Sequence, residues 1–236
     1  MTEKERDLLN GVLQLFALAV AILALHLSSL YSYLFFHSLV EISRIVVIFG
    51  VFVLAWHSRR WSQNGYLTFV GIAYLFVGFL ELLHALAYKG MGVFQGYDAN
   101  LPTQLWVAFR YLESISLLVA AFLIDKRISP AVAFGGYSLI TTAIAIAIFS
   151  GTFPDCFVEG KGLTTFKIES EYIISGLFFI SVLLLMRSAS TTARLSTFLI
   201  PSRIASTRSH QMVKPMVSTA VPRRPAATHI RVRKFI

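Results

Sequence analysis

Charge is what this sequence has least of. Lys, Arg, Asp and Glu make up 14% of its 236 residues, against about 25% in an ordinary soluble domain. Its 21 basic and 12 acidic side chains are too few to cover a soluble exterior evenly, and 56% of the residues are apolar or aromatic. Such a composition is that of a membrane protein. A single cysteine excludes a disulfide scaffold and a cysteine-rich zinc site. No P-loop, nucleophile elbow or other catalytic motif occurs, so nothing in the chain reads as an active site and no cofactor is required. Acidic residues are missing altogether from 187–236, which hold 10 Lys/Arg, whereas residues 1–186 hold 11 Lys/Arg and all 12 Asp/Glu. The formal net charge of +9 therefore belongs to a tail, and the body is nearly neutral. That location removes the nucleic-acid partner that a basic protein would otherwise suggest.

What is present is a succession of apolar runs long enough to cross about 30 Å of hydrocarbon. They predict an all-α polytopic bundle of six spans, over 8–30, 34–56, 66–88, 103–124, 131–150 and 171–186. The last is short for a span. Pro102 and Pro130 stand just before the fourth and fifth, a position proline tolerates. The first run is too long for a signal peptide, lacks a net-positive leader and is followed by no small-residue cleavage site, so it reads as a retained anchor after a short cytoplasmic segment, 1–7. With the N-terminus in the cytoplasm, inner segments carry Lys4, Arg6, Arg59, Arg60, Lys126, Arg127 and Arg187, and outer segments carry Lys89, Lys161 and Lys167. Basic residues favour the inside, so both termini are expected there, in a bacterial inner membrane. The two longest connections, 89–102 and 151–170, then face outward and mix Gly, Pro, aromatic and acidic residues as ordered recognition loops do. Their recognition candidates are Tyr97, Asp98, Asn100, Asp155, Cys156 and Glu159. Trp56, Trp61 and Trp106 fall near span ends, as interfacial aromatics do. Gly71 and Gly78 in the third span suit close helix packing.

Ionisable residues inside spans are costly and mark an interior or a water-filled cavity. His37, Glu41 and Arg44 lie at i, i+4, i+7, Glu81 and His84 at i, i+3, and Arg110 and Glu113 at i, i+3. At 1.5 Å per residue, His37 and His84 sit roughly 5 Å below the outer boundary, Glu41, Glu81 and Arg110 roughly 10 Å, and Arg44 and Glu113 roughly 15 Å. All seven fall in the outer half, as one polar layer. Two readings stand side by side. The charges pair and hold the helices together, or they floor an outward-facing pocket for a ligand, a proton or a metal. Three acids face two arginines, so one protonated histidine would balance the layer, and histidine titrates near neutral pH. Glu81-Leu-Leu-His84 also has the Glu-x-x-His spacing of di-iron bundles, which makes His37, Glu81 and His84 the metal candidates, although the second such motif is missing.

Three stretches taken together resemble a known family. They are His37-Ser-Leu-Val-Glu41-Ile running into Phe52-Val-Leu-Ala-Trp56-His-Ser-Arg59-Arg60; Leu83-His84 through Tyr88-Lys89-Gly90-Met91-Gly92 and Gly96-Tyr97-Asp98-Ala-Asn100-Leu-Pro102 to Arg110-Tyr111-Leu-Glu113-Ser114; and Phe153-Pro154-Asp155-Cys156-Phe157-Val-Glu159-Gly160 through Phe166-Lys167 to Glu171-Tyr172. In this order they resemble the third family of bacterial membrane-associated sensor domains, over about 8–186. The resemblance implies seven or eight spans placed N-terminal to histidine kinase, diguanylate cyclase or PAS modules, a homodimer in intact relatives, and a sensing rather than an enzymatic role for this portion. The sequence departs from that pattern after Met186, where the chain becomes basic, acid-free and rich in Ser, Thr, Pro and Arg. We expect an interrupted or frame-shifted gene there, leaving a sensor without its output module. A disordered basic tail lying on anionic lipid is the alternative. The sequence thus reads as a membrane input domain for an unknown small stimulus, with the lipid bilayer as a partner. A small transporter, or a metal-binding membrane protein using the His37/Glu41/Glu81/His84 layer, is the rival.

Overall fold

A computed structural model describes residues 2–60, 65–124, 126 and 128–187 of the chain. The expectations of an interrupted or disordered tail fall on residues 188–236, outside the described residues, as do those for Trp61 and Arg127. Among the described residues six helices follow one another: α1 Glu3–Tyr31, α2 Tyr33–Ser58, α3 Gly65–Ala87, α4 Asn100–Ala121, α5 Pro130–Phe149 and α6 Thr165–Arg187. Five of them (all but α4) are long and apolar enough to cross a membrane. A two-stranded antiparallel hairpin, β1 Phe157–Val158 and β2 Gly162–Leu163, interrupts the connection before α6. The fold is an all-α membrane bundle, as the apolar runs predict.

Local chemistry explains where the helices begin and end. The α1 helix starts five residues before its apolar run, because Thr2 and Glu5 form a capping box. Ser32 is the whole link between α1 and α2: its amide donates to Ser28 O, and its hydroxyl accepts from the Phe35 amide. Pro102 lies inside the first turn of α4, where its missing N–H would lack a helical partner anyway. Gly151, at φ +72, takes the left-handed position beyond the end of α5 that a side chain resists.

The largest correction concerns α6. It is no short 171–186 run but a full span of 23 residues starting at Thr165. The Thr164 hydroxyl accepts the Lys167 amide at 3.3 Å, an N-cap placed by the hairpin before it. Lys167 thereby moves from the expected outer loop onto a helix, and Glu171 from the first residue of the expected span into the second turn of α6.

The described helices belong to one compact unit, Met1–Ser188. At its centre is α3, flanked by α2, α4 and α5. Its core unites Ile72, Ala73, Val77 and Leu80 of α3 with Leu105 and Phe109 of α4 and Tyr137 of α5. Glycine lets α2 approach: a Cβ on Gly71 would sit 2.3 Å from the Ala55 Cβ, and one on Gly78 would sit 2.7 Å from Ile48 Cγ2. By contrast, α1 leaves Leu8, Leu15, Phe16 and Leu30 more than 60% exposed. A bilayer solvates such a surface at no cost, whereas water would not. Side-chain contacts fix which helix ends share a level. The start of α2, the end of α3 and the start of α4 meet where His37, His84 and Pro102 touch, and the end of α5 joins them where Phe149 packs on Phe94 and Tyr97. Both long connections, residues 88–99 and 150–164, therefore lie at one end of the bundle, here called the loop end.

Candidate functional site

The seven charged and histidine residues of α2, α3 and α4 come together near the loop end, and they divide into two tiers. In the deeper tier Arg44 bridges two helices, with Nη1 3.2 Å from Glu81 Oε1 and Nη2 3.0 Å from Glu113 Oε2. Arg110 adds a second contact to Glu113 Oε2, at 3.1 Å. The guanidinium of Arg44 lies 5.0 Å over the Phe109 ring, and that of Arg110 faces Trp106, Phe109 and Phe178. Two cations and two anions make this tier formally neutral. Glu81 is fully buried. Its approach to Arg44 is close enough to pair but not aligned as a hydrogen bond, so neither carboxylate oxygen has a hydrogen-bond partner among the described residues.

The shallower tier holds His37, Glu41 and His84. His37 and Glu41 share a face of α2 one turn apart. The His37 ring packs against Tyr88 at a tilt of 32°, with centroids 3.8 Å apart, and meets the His84 ring edge-on at 5.8 Å. His84 Nδ1 lies 2.7 Å from the Pro102 carbonyl oxygen. A carbonyl only accepts, so Nδ1 carries the proton and donates, which leaves Nε2 of the neutral ring as a lone pair. That Nε2, His37 Nε2 and Glu41 Oε2 are all buried without hydrogen-bond partners among the described residues. One ligating atom from each residue lies within 4.8 Å of the others. This set differs from the sequence expectation of His37, Glu81 and His84: Glu81 turns to Arg44, and Glu41 takes its place.

The shallower tier opens into a cleft of about 590 Å³, walled by His37, Glu41 and His84, by Trp106 of α4, by Phe157 and Leu163 of the hairpin, and by Lys167 and Glu171 of α6. Sequence reasoning missed the last two. Lys167 Nζ is 3.3 Å from the centroid of Trp106 and donates to Glu171 Oε1 at 2.8 Å. The available signal was Thr164, an N-cap residue type three positions ahead of Lys167.

Among the loop candidates, Asn100, Asp155 and Cys156 bind one another. The Asn100 carbonyl accepts the amides of Cys156 at 2.8 Å and Phe157 at 3.0 Å, and its amide group donates to Asp155 Oδ1 at 2.8 Å. Gln104 Nε2 donates to the carbonyls of Phe153 and Pro154 at 3.1 Å each. This clamp ties the connection between α5 and α6 to the start of α4 and so holds the hairpin over the cleft. Cys156 is fully buried, and that burial pushes its thiol up to about 11. Tyr97, Asp98 and Glu159 line a separate, smaller cleft of about 160 Å³.

No curated protein and no solved structure matches the chain. A family model described as the membrane-associated sensor domain MASE3 matches residues 28–212, and the match continues past Met186. It takes in α2 to α6 with every residue of both tiers, and the chain belongs to this family of membrane-associated sensor domains.

Proposed function

We propose that this chain is the input domain of a bacterial signal-transduction receptor. It sits in the inner membrane with its N-terminus in the cytoplasm and its loop end outside, and it perceives a small extracytoplasmic stimulus in the cleft beside His37, Glu41 and His84. The observation that carries the reading is the cleft itself. Buried polar atoms without hydrogen-bond partners among the described residues line it at one end of the bundle, and buried polar groups in that state are rare and call for a ligand, an ion or water. Membership of a sensor-domain family supports it, as do the seven basic residues at the opposite helix ends against three at this one. A transport pathway would need polar residues continuing towards the other end, whereas between Glu113 and Asp125 α4 offers no charge, and between Gly65 and Leu80 neither does α3.

The mechanism follows from the tiers. A ligand held by His37 and His84 bridges α2 and α3, and Arg44 lies one turn deeper than Glu41 on the same helix. A rotation of α2 that serves the ligand must disturb the Arg44 pairs with Glu81 and Glu113, and thus α4. The test grafts residues 1–187 onto the output module of an intact family member. Glu41→Gln and His84→Gln should abolish the response while leaving the protein in the membrane at normal level. An unchanged response in both variants refutes this use of the cleft.

A further inference from the structure

We propose that His37 Nε2, Glu41 Oε2 and His84 Nε2 form a three-ligand site for a divalent transition-metal ion, Zn2+ in the first instance, with the fourth coordination position facing the cleft. The inference takes its biological meaning from the sensing role above, but binding is measurable without any signalling.

Five observations converge. Two imidazole nitrogens and one carboxylate oxygen are a donor set used for zinc with an open position. The three atoms are buried and without hydrogen-bond partners among the described residues, a costly state that one cation would satisfy at once. The His84 Nδ1–H donates to the Pro102 carbonyl at 2.7 Å. A backbone acceptor behind a ligating histidine, fixing its tautomer and ring orientation, is the usual support of a metal ligand. The deeper tier cancels its own charge through Arg44, Arg110, Glu81 and Glu113, so Glu41 is left outside those ion pairs; of the two lysines that line the cleft with it, Lys89 and Lys167, the second pairs with Glu171. The α2 and α3 helices hold the three residues at one level, and their ligating atoms lie within 4.8 Å. Tetrahedral ligands about 2.1 Å from an ion are about 3.4 Å apart, so small side-chain rotations close the set. Zn2+ imposes no preferred geometry and tolerates that adjustment. Glu81 is no ligand here, because Arg44 lies 3.2 Å from it.

The test uses the full chain in detergent, stripped with a chelator and then titrated with ZnCl2, with metal content measured after gel filtration and Co2+ absorption recorded as a report on ligand geometry. One Zn2+ per chain is expected, with the melting temperature lowered by chelation and restored by Zn2+. Glu41→Gln and His37→Gln should each weaken Zn2+ by more than about 100-fold, the upper end for removing a partner behind a ligand. Replacing His26, His57, His210 and His229 by Ala should change nothing, which separates this site from the other four histidines of the chain. Glu41→Gln and His37→Gln leave the His84–Pro102 bond in place, so both variants can be checked for a native gel-filtration profile. Zn2+ retained by folded Glu41→Gln and His37→Gln protein overturns the site, and so does failure of Zn2+, Co2+, Ni2+, Cu2+ and Fe2+ all to bind the wild type. Bound Zn2+ with signalling untouched by Glu41→Gln keeps the site and sinks the sensing role. Lost signalling in a chain that binds no metal does the reverse.

Discussion

Arg44→Ala should be among the most damaging single changes in this protein, for a reason specific to its geometry. Arg44 is the one cation paired with Glu81 among the described residues, at 3.2 Å, and the Glu81 side chain is completely buried. Glu113 by contrast keeps Arg110 at 3.1 Å when Arg44 is removed. The loss therefore falls on Glu81. Removing one partner of a buried ion pair costs about 3–5 kcal/mol, because the other charge is left without compensation. At about 2–4 °C per kcal/mol for a chain of this size, the melting temperature should fall by roughly 6–20 °C. Glu81→Gln alone should cost little, since Arg44 retains Glu113 at 3.0 Å. The double variant Arg44→Ala/Glu81→Gln removes the stranded charge and should recover about 2 kcal/mol relative to Arg44→Ala, within the range of couplings between contacting residues. Thermal denaturation in detergent, followed by fluorescence-detected gel filtration, measures all four proteins. If Arg44→Ala melts within about 2 °C of the parent, or if the double variant is no better than Arg44→Ala, the charges are not mutually compensating and the description of the deeper tier is wrong.

Asn100→Ala removes three hydrogen bonds that clamp residues 155–157. At about 1 kcal/mol each it should cost about 3 kcal/mol, and it should raise the labelling rate of Cys156. In the parent protein Cys156 should resist maleimide at pH 7 until denatured, since a thiol pushed up to about 11 by burial leaves roughly one thiolate in ten thousand; reactivity should rise with pH, and rapid native labelling at pH 7 would contradict its burial. Gly71→Val, whose Cβ would fall 2.3 Å from that of Ala55, should separate α2 from α3 and abolish the folded gel-filtration peak, whereas Gly136→Ala, with open space around its Cβ position, should be neutral. For orientation, single cysteines at Gln63 and Gln95 in a Cys156→Ser background should differ in intact cells: an impermeant thiol reagent should label position 95 and spare position 63, and the opposite pattern would invert the proposed topology.

How far the chain could be read depended on whether a property is local to one helix. Bilayer-length apolar runs, the punctuation by Pro102 and Pro130, and the axial level of each ionisable residue all follow from counting along a single helix, at 1.5 Å per residue. That is why one polar layer was legible before any neighbour was placed, and why His37 and His84, assigned the same depth, do meet, with ring centroids 5.8 Å apart. The start of α6 escaped this logic. Lys167 looks like a loop residue in a string of letters, and it becomes helical because the hairpin delivers Thr164 as a cap and Trp106 receives the ammonium group.

Azimuth is the property no single helix determines. The spacing Glu81-Leu-Leu-His84 places two side chains on neighbouring faces of α3, but it does not say which helix each of them meets. Tertiary packing decided that. Gly71 and Gly78 bring α2 close enough for Arg44 to capture Glu81, and Pro102 of α4 turns the other edge of His84 towards Glu41 and His37. The sequence by itself determined that seven polar side chains share the loop-end half of the bundle. Their division into a neutral tier and an unsatisfied one depended on the rotation of three helices about their axes, which is settled by how their surfaces interlock.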